Sequence, residues 1–385
     1  MFEEQISGLQ RAAATFTRRV SEIVMKWKAL GSAIGVMAAS AAAHAQSSVT
    51  LYGVIDDGLT FVSNQGGHHA YRMDDSISQG DRFGFRGAEG LGGGLKAIFN
   101  LEGGFNPNTG ASRQGGLEFG RQAYVGLQSD RFGTLSLGRT YDQMTTTLIR
   151  YHSGYWSGIY AFDAGDHDRI SGNWLNNVVT YVSPTVRGLH FSAQYAFNSL
   201  SATANNYGVA YSLSATYEHG PFSIGAAATS IHDYTVTPGS SLGVGSFLGT
   251  NVAFSSRAVV VDRYRTAGVG ASYDFGIVGL SGLYTNTRYE KGANASTMQS
   301  LNVILHGELR PGLVLAGGYG YSKMSPYQWN EFNAVLDYLL SKRTDVYLSA
   351  NYDKANGGAR AVLVTLPISG NDKQLAVRVG IRHKF

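Results

Sequence analysis

The sequence predicts an all-β fold, an antiparallel β-barrel of about 16 strands that crosses a membrane. Three observations carry that expectation. Apolar residues recur at every second position through nearly the whole chain beyond residue 46, short and long connections alternate between the segments, and charged residues form only 15% of the chain, well below the roughly 25% of soluble globular domains.

The alternation is plainest over 206–218, where Tyr207, Val209, Tyr211, Leu213, Ala215 and Tyr217 fall on one face and Gly208, Ala210, Ser212, Ser214, Thr216 and Glu218 on the other. Residues 188–197 and 344–353 repeat it. A period of two is the mark of a strand with two different faces. A soluble sandwich also alternates, but here the apolar face often ends in Tyr or Phe, as an interfacial aromatic belt requires, and no helical segment interrupts the series. Short turns are expected near Glu89–Gly92, Asp130–Gly133, His219–Pro221 and Ser341–Arg343, and long connections near 63–78, 105–116, 141–175, 234–260 and 354–372. The first strand is expected at about 49–62 and the last at 373–385. A barrel of this size keeps an aqueous lumen, whereas one of about eight strands is filled by its own side chains.

Residues 1–45 read as an export segment. Lys26 and Lys28 precede the apolar, small-residue run Ala29–Ala43, and Ala43-His44-Ala45 has the small-x-small pattern of a cleavage site. The run is shorter than the ~20 residues of a membrane-spanning helix. Residues 1–24 mix acids and bases ahead of Met25, and Met25 is the expected translation start. The barrel domain is then 46–385.

Several functions are disfavoured. The chain has no Cys, which removes disulfide frameworks and thiolate metal sites. A net charge of +4 without a basic cluster gives nucleic acid no footing. His68, His69 and His167 lack metal-ligand spacing and are expected as solvated loop histidines, so neither a metal nor a cofactor is expected. His152, His232 and Asp233 are raw material for an outer-membrane barrel protease or lipase, but nothing in their spacing singles them out.

Strand phase places some charges. In 81–87, Phe83 and Phe85 belong in lipid and Arg82 and Arg86 in the lumen; in 95–102, Lys96, Asn100 and Glu102 face inward. In the last strand Leu375, Val377, Val379, Ile381 and Phe385 oppose Gln374, Arg378, Arg382 and Lys384, a split that lipid outside and water inside explain. Val54 puts no charge on the lumenal phase of the first strand, and Asp57 falls on its lipid phase.

Four strings in order, SSVTLYGVID (47–56), DRFGFRGAEGLGGGLKAIFNLE (81–102), GRQAYVGLQ (120–128) with FGTLSLGRTYD (132–142), and VGIRHKF (379–385), resemble the general porins of Gram-negative bacteria, in particular those of β-proteobacteria. The resemblance implies a homotrimer of 16-stranded barrels, set in outer-membrane lipid and lipopolysaccharide, through which ions and small hydrophilic solutes diffuse. It implies that a long loop, here Tyr141–Trp174, folds inward to narrow the pore, with Asp142, Asp163, Asp166 and Asp168 facing lumenal arginines. It carries Arg82 and Arg121 to the constriction, with Arg139 at the strand end entering the loop, its phase shared with Leu135 and Leu137. It also makes the terminal Phe385 part of the signal read by the barrel-assembly machinery. Tyr151, Tyr155, Trp156 and Tyr160 in the loop leave open a channel specific for a sugar or anion, and anion or cation preference is not derivable from these positions.

Overall fold

The structure is a computed structural model that describes residues 48–198 and 208–385; the expected export segment lies outside the described residues. The strands are β1 (Ser48–Gln65), β2 (His68–Asp75), β3 (Arg82–Gly92), β4 (Leu95–Gly104), β5 (Gln122–Ser129), β6 (Gly133–Tyr141), β7 (Trp174–Val182), β8 (Leu189–Ala196), β9 (Ala210–His219) and β10 (Phe222–Val236). A two-residue hairpin, β11 (Ser246–Phe247) and β12 (Thr250–Asn251), follows. Then come β13 (Val259–Asp274), β14 (Val278–Lys291), β15 (Asn294–Arg310), β16 (Leu313–Met324), β17 (Tyr327–Leu339), β18 (Thr344–Asn356) and β19 (Lys373–Lys384).

Apart from the small hairpin and β2, which pairs with β1 alone, every strand pairs antiparallel with the strands on either side of it, and β19 returns to β1 from Val54↔Lys384 to Val62↔Ala376. β2 and β3 share one stave, since β1 pairs with β2 over its second half and with β3 over its first. The barrel therefore closes on itself with sixteen staves, and closure is what lipid requires because an unpaired backbone group in hydrocarbon has no substitute partner. The break between β2 and β3 is satisfied locally. Asp56 accepts from the amides of Ser78 (2.5 Å) and Gln79 (2.9 Å), and Asp81 accepts from the amide of Asp56 (2.5 Å).

The faces are inverted relative to a soluble protein. On β15, Leu301, Val303 and Leu305 are exposed while Ser300 and Asn302 are buried; on β14, Leu280 and Tyr284 are exposed while Ser281, Thr285 and Thr287 are buried. A sheet with an apolar outer face and a polar inner one is stable only with hydrocarbon outside and hydrophilic contents inside. At the seam, Phe385 is 41% exposed on the outer face, and its backbone exchanges hydrogen bonds with Gly53 (3.0 and 3.1 Å).

Connections at one end are short: 93–94, 130–132, 220–221, 275–277, 311–312 and 340–343. The long ones, 105–121, 142–173, 237–258 and 357–372, lie at the other. The expected long connection at 63–78 is instead a tight hairpin, because Gly66 and Gly67 supply the two positive φ angles (63° and 103°) of a two-residue turn and β2 continues the alternation to Asp75. Loops 237–258 and 357–372 pack on each other over the barrel mouth. Leu242, Val244, Phe247 and Val252 join Ala359, Ala361, Met324 and Trp329 in one apolar cluster.

Candidate functional site: the lumen and its constriction

The loop 142–173 runs inside the barrel along the inner wall from β9 round to β19. It starts with a helix, Gln143–Leu148, whose N-cap Asp142 accepts from the Thr145 amide (3.1 Å). Glycines in the wall make room for it. A Cβ on Gly268 would stand 2.9 Å from the Leu148 side chain, and one on Gly270 only 2.4 Å from the Tyr151 ring. Polar contacts supplement the fit. The Gln143 amide donates to Ser212 Oγ (2.9 Å), Tyr151 OH meets Ser223 Oγ (2.6 Å), and Ser157 Oγ donates to Asn333 (3.3 Å). Further along, Trp156 stacks on His306 at 4.1 Å and Tyr160 OH donates to Asp74 (2.9 Å).

With the loop against that side, the open passage lies between the inner faces of β4–β9 and the loop helix. Its lining is mostly uncharged and hydrogen-bonding: Gln122, Tyr124, Ser136, Thr140, Thr180, Gln194 and Thr216 from the wall, Thr146 and Thr147 from the loop. Arg150, on the loop, pairs with Glu218 of β9 across this space.

Positive charge gathers at the edge of the passage. Arg82 and Arg121 flank one carboxylate, Glu102, at 3.6 and 2.8 Å. Tyr52 OH donates to Glu102 (2.9 Å), and Arg121 Nη2 donates to Tyr141 OH (2.5 Å). The Arg82 and Arg121 side chains are 18% and 13% exposed. Arg86 lies on the same inward register, its guanidinium 5.2 Å from the Tyr52 ring centre. Lys96 is exposed on the inward register near the short-turn end, opposite Gln128.

Other expected positions sit differently. Arg139 pairs with Ala123 on the outward register, that of Leu135 and Leu137, but is buried. It donates to Gly120 O (2.7 Å), pairs with Asn176 and lies 5.4 Å from the Trp174 ring centre, so it props the tryptophan on which Arg121 also rests. Arg378 points inward but is fully buried, bonded to Tyr347 OH (2.7 Å) and Thr60 Oγ1 (3.0 Å) with Asp56 at 3.8 Å. Arg382 spans Asp337 (3.1 Å) and Asp345 (3.0 Å). Both arginines follow the inward phase, and ion pairs and loop cover, rather than bulk water, satisfy them. Asp57 accepts from its neighbour Gly58 N (2.8 Å) and from Asn108 Nδ2 (3.3 Å) of loop 105–121, which accounts for a carboxylate on the outer register.

The four loop acids do not face Arg82 and Arg121. Asp142 is buried against Arg169. Asp166 closes a turn, accepting from the amides of Ile170 (3.1 Å) and Ser171 (2.9 Å). Asp163 accepts both contacts of Asn302 Nδ2 (3.0 and 3.2 Å), and Asp168 accepts from Thr285 Oγ1 (3.1 Å). Each carboxylate is used in folding the loop or fastening it to β14 and β15. Sequence spacing gives no sign of the fastening, because Asn302 and Thr285 lie over a hundred residues away.

His167, expected as solvated, is buried between Ala164 O (3.3 Å) and Ser300 Oγ (3.1 Å). His152, Asp163 and Asp168 bring one potential ligand atom each within 4.8 Å of one another. The Gly154 amide donates to His152 Nδ1 (3.0 Å), so in the neutral ring the proton sits on Nε2, 3.5 Å from Asp163. A metal-bound histidine has the reverse arrangement, with its free nitrogen donating, and the geometry is that of a buried His–Asp contact. Burial acts to raise Asp163, but His152, His167 and Asn302 together hold it below the usual carboxylate range. Burial, then the charges of Asp163 and Asp166, push Asp168 well above it.

Arg150, Tyr52, Tyr141 and the hydroxyl and amide lining were not singled out in the sequence. Inward strand phase marks Tyr52, Gln122, Tyr124 and Ser136; nothing local marks Arg150, whose partner Glu218 is on another stave.

A closed barrel with an apolar exterior, a polar passage and a loop narrowing it from inside is a membrane channel. The chain belongs to the Gram-negative porin family, whose model matches residues 31–358. It is 31% identical to outer membrane porin protein 32 of Delftia acidovorans, over 92% of this chain and 98% of that one. It is 29% identical to an outer membrane porin protein of Bordetella pertussis, over 89% of this chain and 96% of that one. Among solved structures it is similar to an anion-selective porin from Comamonas acidovorans (TM-score 0.74, 25% identity, 88% of this chain and 100% of that one). It also shares its fold with the trimer form of OmpT from Vibrio cholerae (TM-score 0.66, 15% identity, 88% and 99%). The protein is an outer-membrane porin, a water-filled channel of the Gram-negative cell envelope.

Proposed function

We propose that this porin passes ions and small hydrophilic solutes by diffusion and favours anions, with the narrowest, most strongly charged point at Arg82 and Arg121. The observation that carries the reading is the charge balance there: two arginines share one carboxylate, while of the loop acids that could oppose them Asp142, Asp163 and Asp168 are buried and Asp166 is taken up in a turn. Guanidinium groups stay charged at any working pH, and fixed wall charge in a narrow aqueous gap biases which ions enter without holding them. Arg86 and Lys96 extend the basic track toward the short-turn end, and Arg139 supports Trp174 behind Arg121. Asp142, Asp163, Asp166 and Asp168 then act on the constriction through the position of the loop. Arg378, Arg382 and Glu102 hold the surrounding wall.

In the same reading, residues 1–45 are an export signal cleaved before Gln46, the working unit is a homotrimer, and the last strand ending at Phe385 is recognised by the assembly machinery. The likeness to an anion-selective porin supports the selectivity, and the likeness to a trimeric fold supports the trimer. The test is reconstitution in a planar bilayer under a KCl gradient. Ohmic steps, often in threes, with a reversal potential of anion sign are expected. A cation-signed potential overturns the selectivity reading, and block by one sugar at low concentration would favour a substrate-specific channel.

A further inference from the structure

The passage has a second charged station, at its short-turn end. The loop helix Gln143–Leu148 turns Met144 and Leu148, with Tyr151 beyond it, onto the barrel wall, where they join one apolar cluster. Thr146 and Arg150, one helical turn apart, share the opposite face and look into the passage. The loop then docks two consecutive residues on two directly paired wall positions. Glu218 of β9 lies opposite Ser223 of β10; Arg150 pairs with Glu218, and Tyr151 OH meets Ser223 Oγ (2.6 Å). The short turn 220–221 joins the two strands just beyond, and in outer-membrane barrels the short turns face the periplasm. Among the described residues that line the passage, Arg150 and Glu218 are the only guanidinium and the only carboxylate.

Two carboxylates thus balance arginines along the lumen, and they differ in exposure. Glu102, between Arg82 and Arg121, has a side chain 5% exposed and is also held by Tyr52 OH. The Glu218 side chain is 50% exposed and that of Arg150 49%. Water reaches both halves of the second pair, and an ion pair in that setting is weak because solvent competes for each charge. Glu102 is therefore a fixed part of the wall, whereas Glu218 is a resident that gives way. The group it yields to is of its own kind. A guanidinium presents a planar fork that fits the two oxygens of a carboxylate, so a solute carboxylate in the passage meets the same donors in the same geometry. Chloride, a single sphere, has no second oxygen to fill the fork.

We propose that Arg150 is a specificity-determining residue of the channel, an exchange site for carboxylate-bearing solutes at the periplasmic end of the passage, with Glu218 as the carboxylate it gives up. The site rests on the reading of the chain as a diffusion channel and is independent of Arg82 and Arg121, whose carboxylate is Glu102. While Glu218 is in place the station is neutral, so an anion is recognised there without being trapped, as conduction requires. Without Glu218, Arg150 adds a full charge at one end of the passage only. A charge so placed makes the current unequal in the two directions, because one polarity fills that end with counter-ions and the other empties it.

The test is single-channel recording of the full barrel in a planar bilayer for the wild type, Arg150→Ala, Glu218→Gln and the double variant, each checked for folding by its heat-dependent gel mobility. One unpaired wall charge changes the anion-to-cation ratio by roughly fourfold. Under a KCl gradient Glu218→Gln should raise that ratio by this factor and Arg150→Ala should lower it; the double variant, neutral again, should return to the wild-type value. At symmetric low salt the two single variants should rectify in opposite senses. With acetate replacing chloride on one side, the acetate-to-chloride permeability ratio should fall roughly twofold in both chains that lack Arg150, the loss expected of one exposed ion pair, and hold at or above the wild-type value in Glu218→Gln. Reversal potentials that stay put in both single variants, a double variant that behaves like the singles, or an acetate preference that survives Arg150→Ala would each overturn the proposal. A cation-signed wild type with these shifts intact supports the site while overturning the anion preference assigned to Arg82 and Arg121.

Discussion

Replacing Arg121 by Ser changes the net charge of the Arg82–Glu102–Arg121 trio from +1 to zero, since Glu102 keeps Arg82 at 3.6 Å. An ion passing about 5 Å from one fixed charge in water feels roughly 0.8 kcal/mol. Physiological salt, with a screening length of about 8 Å, leaves roughly half of that, about 0.4 kcal/mol. Local anion concentration then falls about twofold and cation concentration rises about twofold, so the anion-to-cation permeability ratio drops about fourfold. Removing Arg82 as well leaves Glu102 alone and should carry the channel to cation preference. Glu102→Gln works in the opposite direction, raising the trio to +2 and the ratio by a similar factor. The assay is the reversal potential of single channels under a salt gradient at fixed pH, with Arg121→Lys as the charge-preserving control. All shifts should shrink in concentrated salt. A reversal potential that stays put in both Arg121→Ser and Glu102→Gln would refute the assignment of these residues to the constriction.

Gly270→Val puts a side chain where an added Cβ would stand 2.4 Å from the Tyr151 ring; overpacking of this kind costs about 1–3 kcal/mol, and the loop, pushed off the wall into the passage, should lower single-channel conductance, an effect a conductance histogram would reveal or deny. Asp163→Ala removes the acceptor of Asn302 and the neighbour of His152, a loss of about 3–5 kcal/mol for a buried charged partner; thermal unfolding of the barrel should shift down and loop-closure noise should rise. Because Asp163 is held below its ordinary pKa of 3.8, its contribution is present above that value and is lost only as pH falls through the lower folded value; channel recordings should stay quiet on acidification into the ordinary carboxylate range and become noisy beneath it, and Asp163→Asn should abolish the transition. Gly53→Val collides with the Phe385 ring, 2.2 Å from an added Cβ, and with Arg82 O at 2.7 Å; the seam between β1 and β19 should close slowly, as a reduced yield of folded, heat-modifiable protein in vesicle refolding would report.

Much of the fold was legible because a membrane barrel writes its two environments into alternate residues. Lipid outside and polar contents inside set the inward phase of Arg82, Glu102 and Arg378 and the outward phase of Phe83, Leu301 and Val379, and a period of two is local information. The same reasoning missed the β1–β2 hairpin, where Gly66-Gly67 and a weakly apolar β2 resembled a loop, and could not see that β2 and β3 form one stave. Those depend on how Asp56 and Asp81 satisfy the break, a matter of contacts across the sheet.

Residue alternation specifies the class of solvent on each side of each strand, and through it the barrel and the register of most charges. Which of those charges meet water is settled by contacts in three dimensions. Arg82 and Arg378 share the inward phase, yet one edges the passage and the other is sealed against Tyr347 and Thr60. Asp142 and Asp168 sit in a loop rich in acids, yet each is matched to a particular group, Arg169 or Thr285. Exposure of an inward charge depends on the path the loop 142–173 takes past Gly268 and Gly270, and that path is set by packing among residues far apart in sequence.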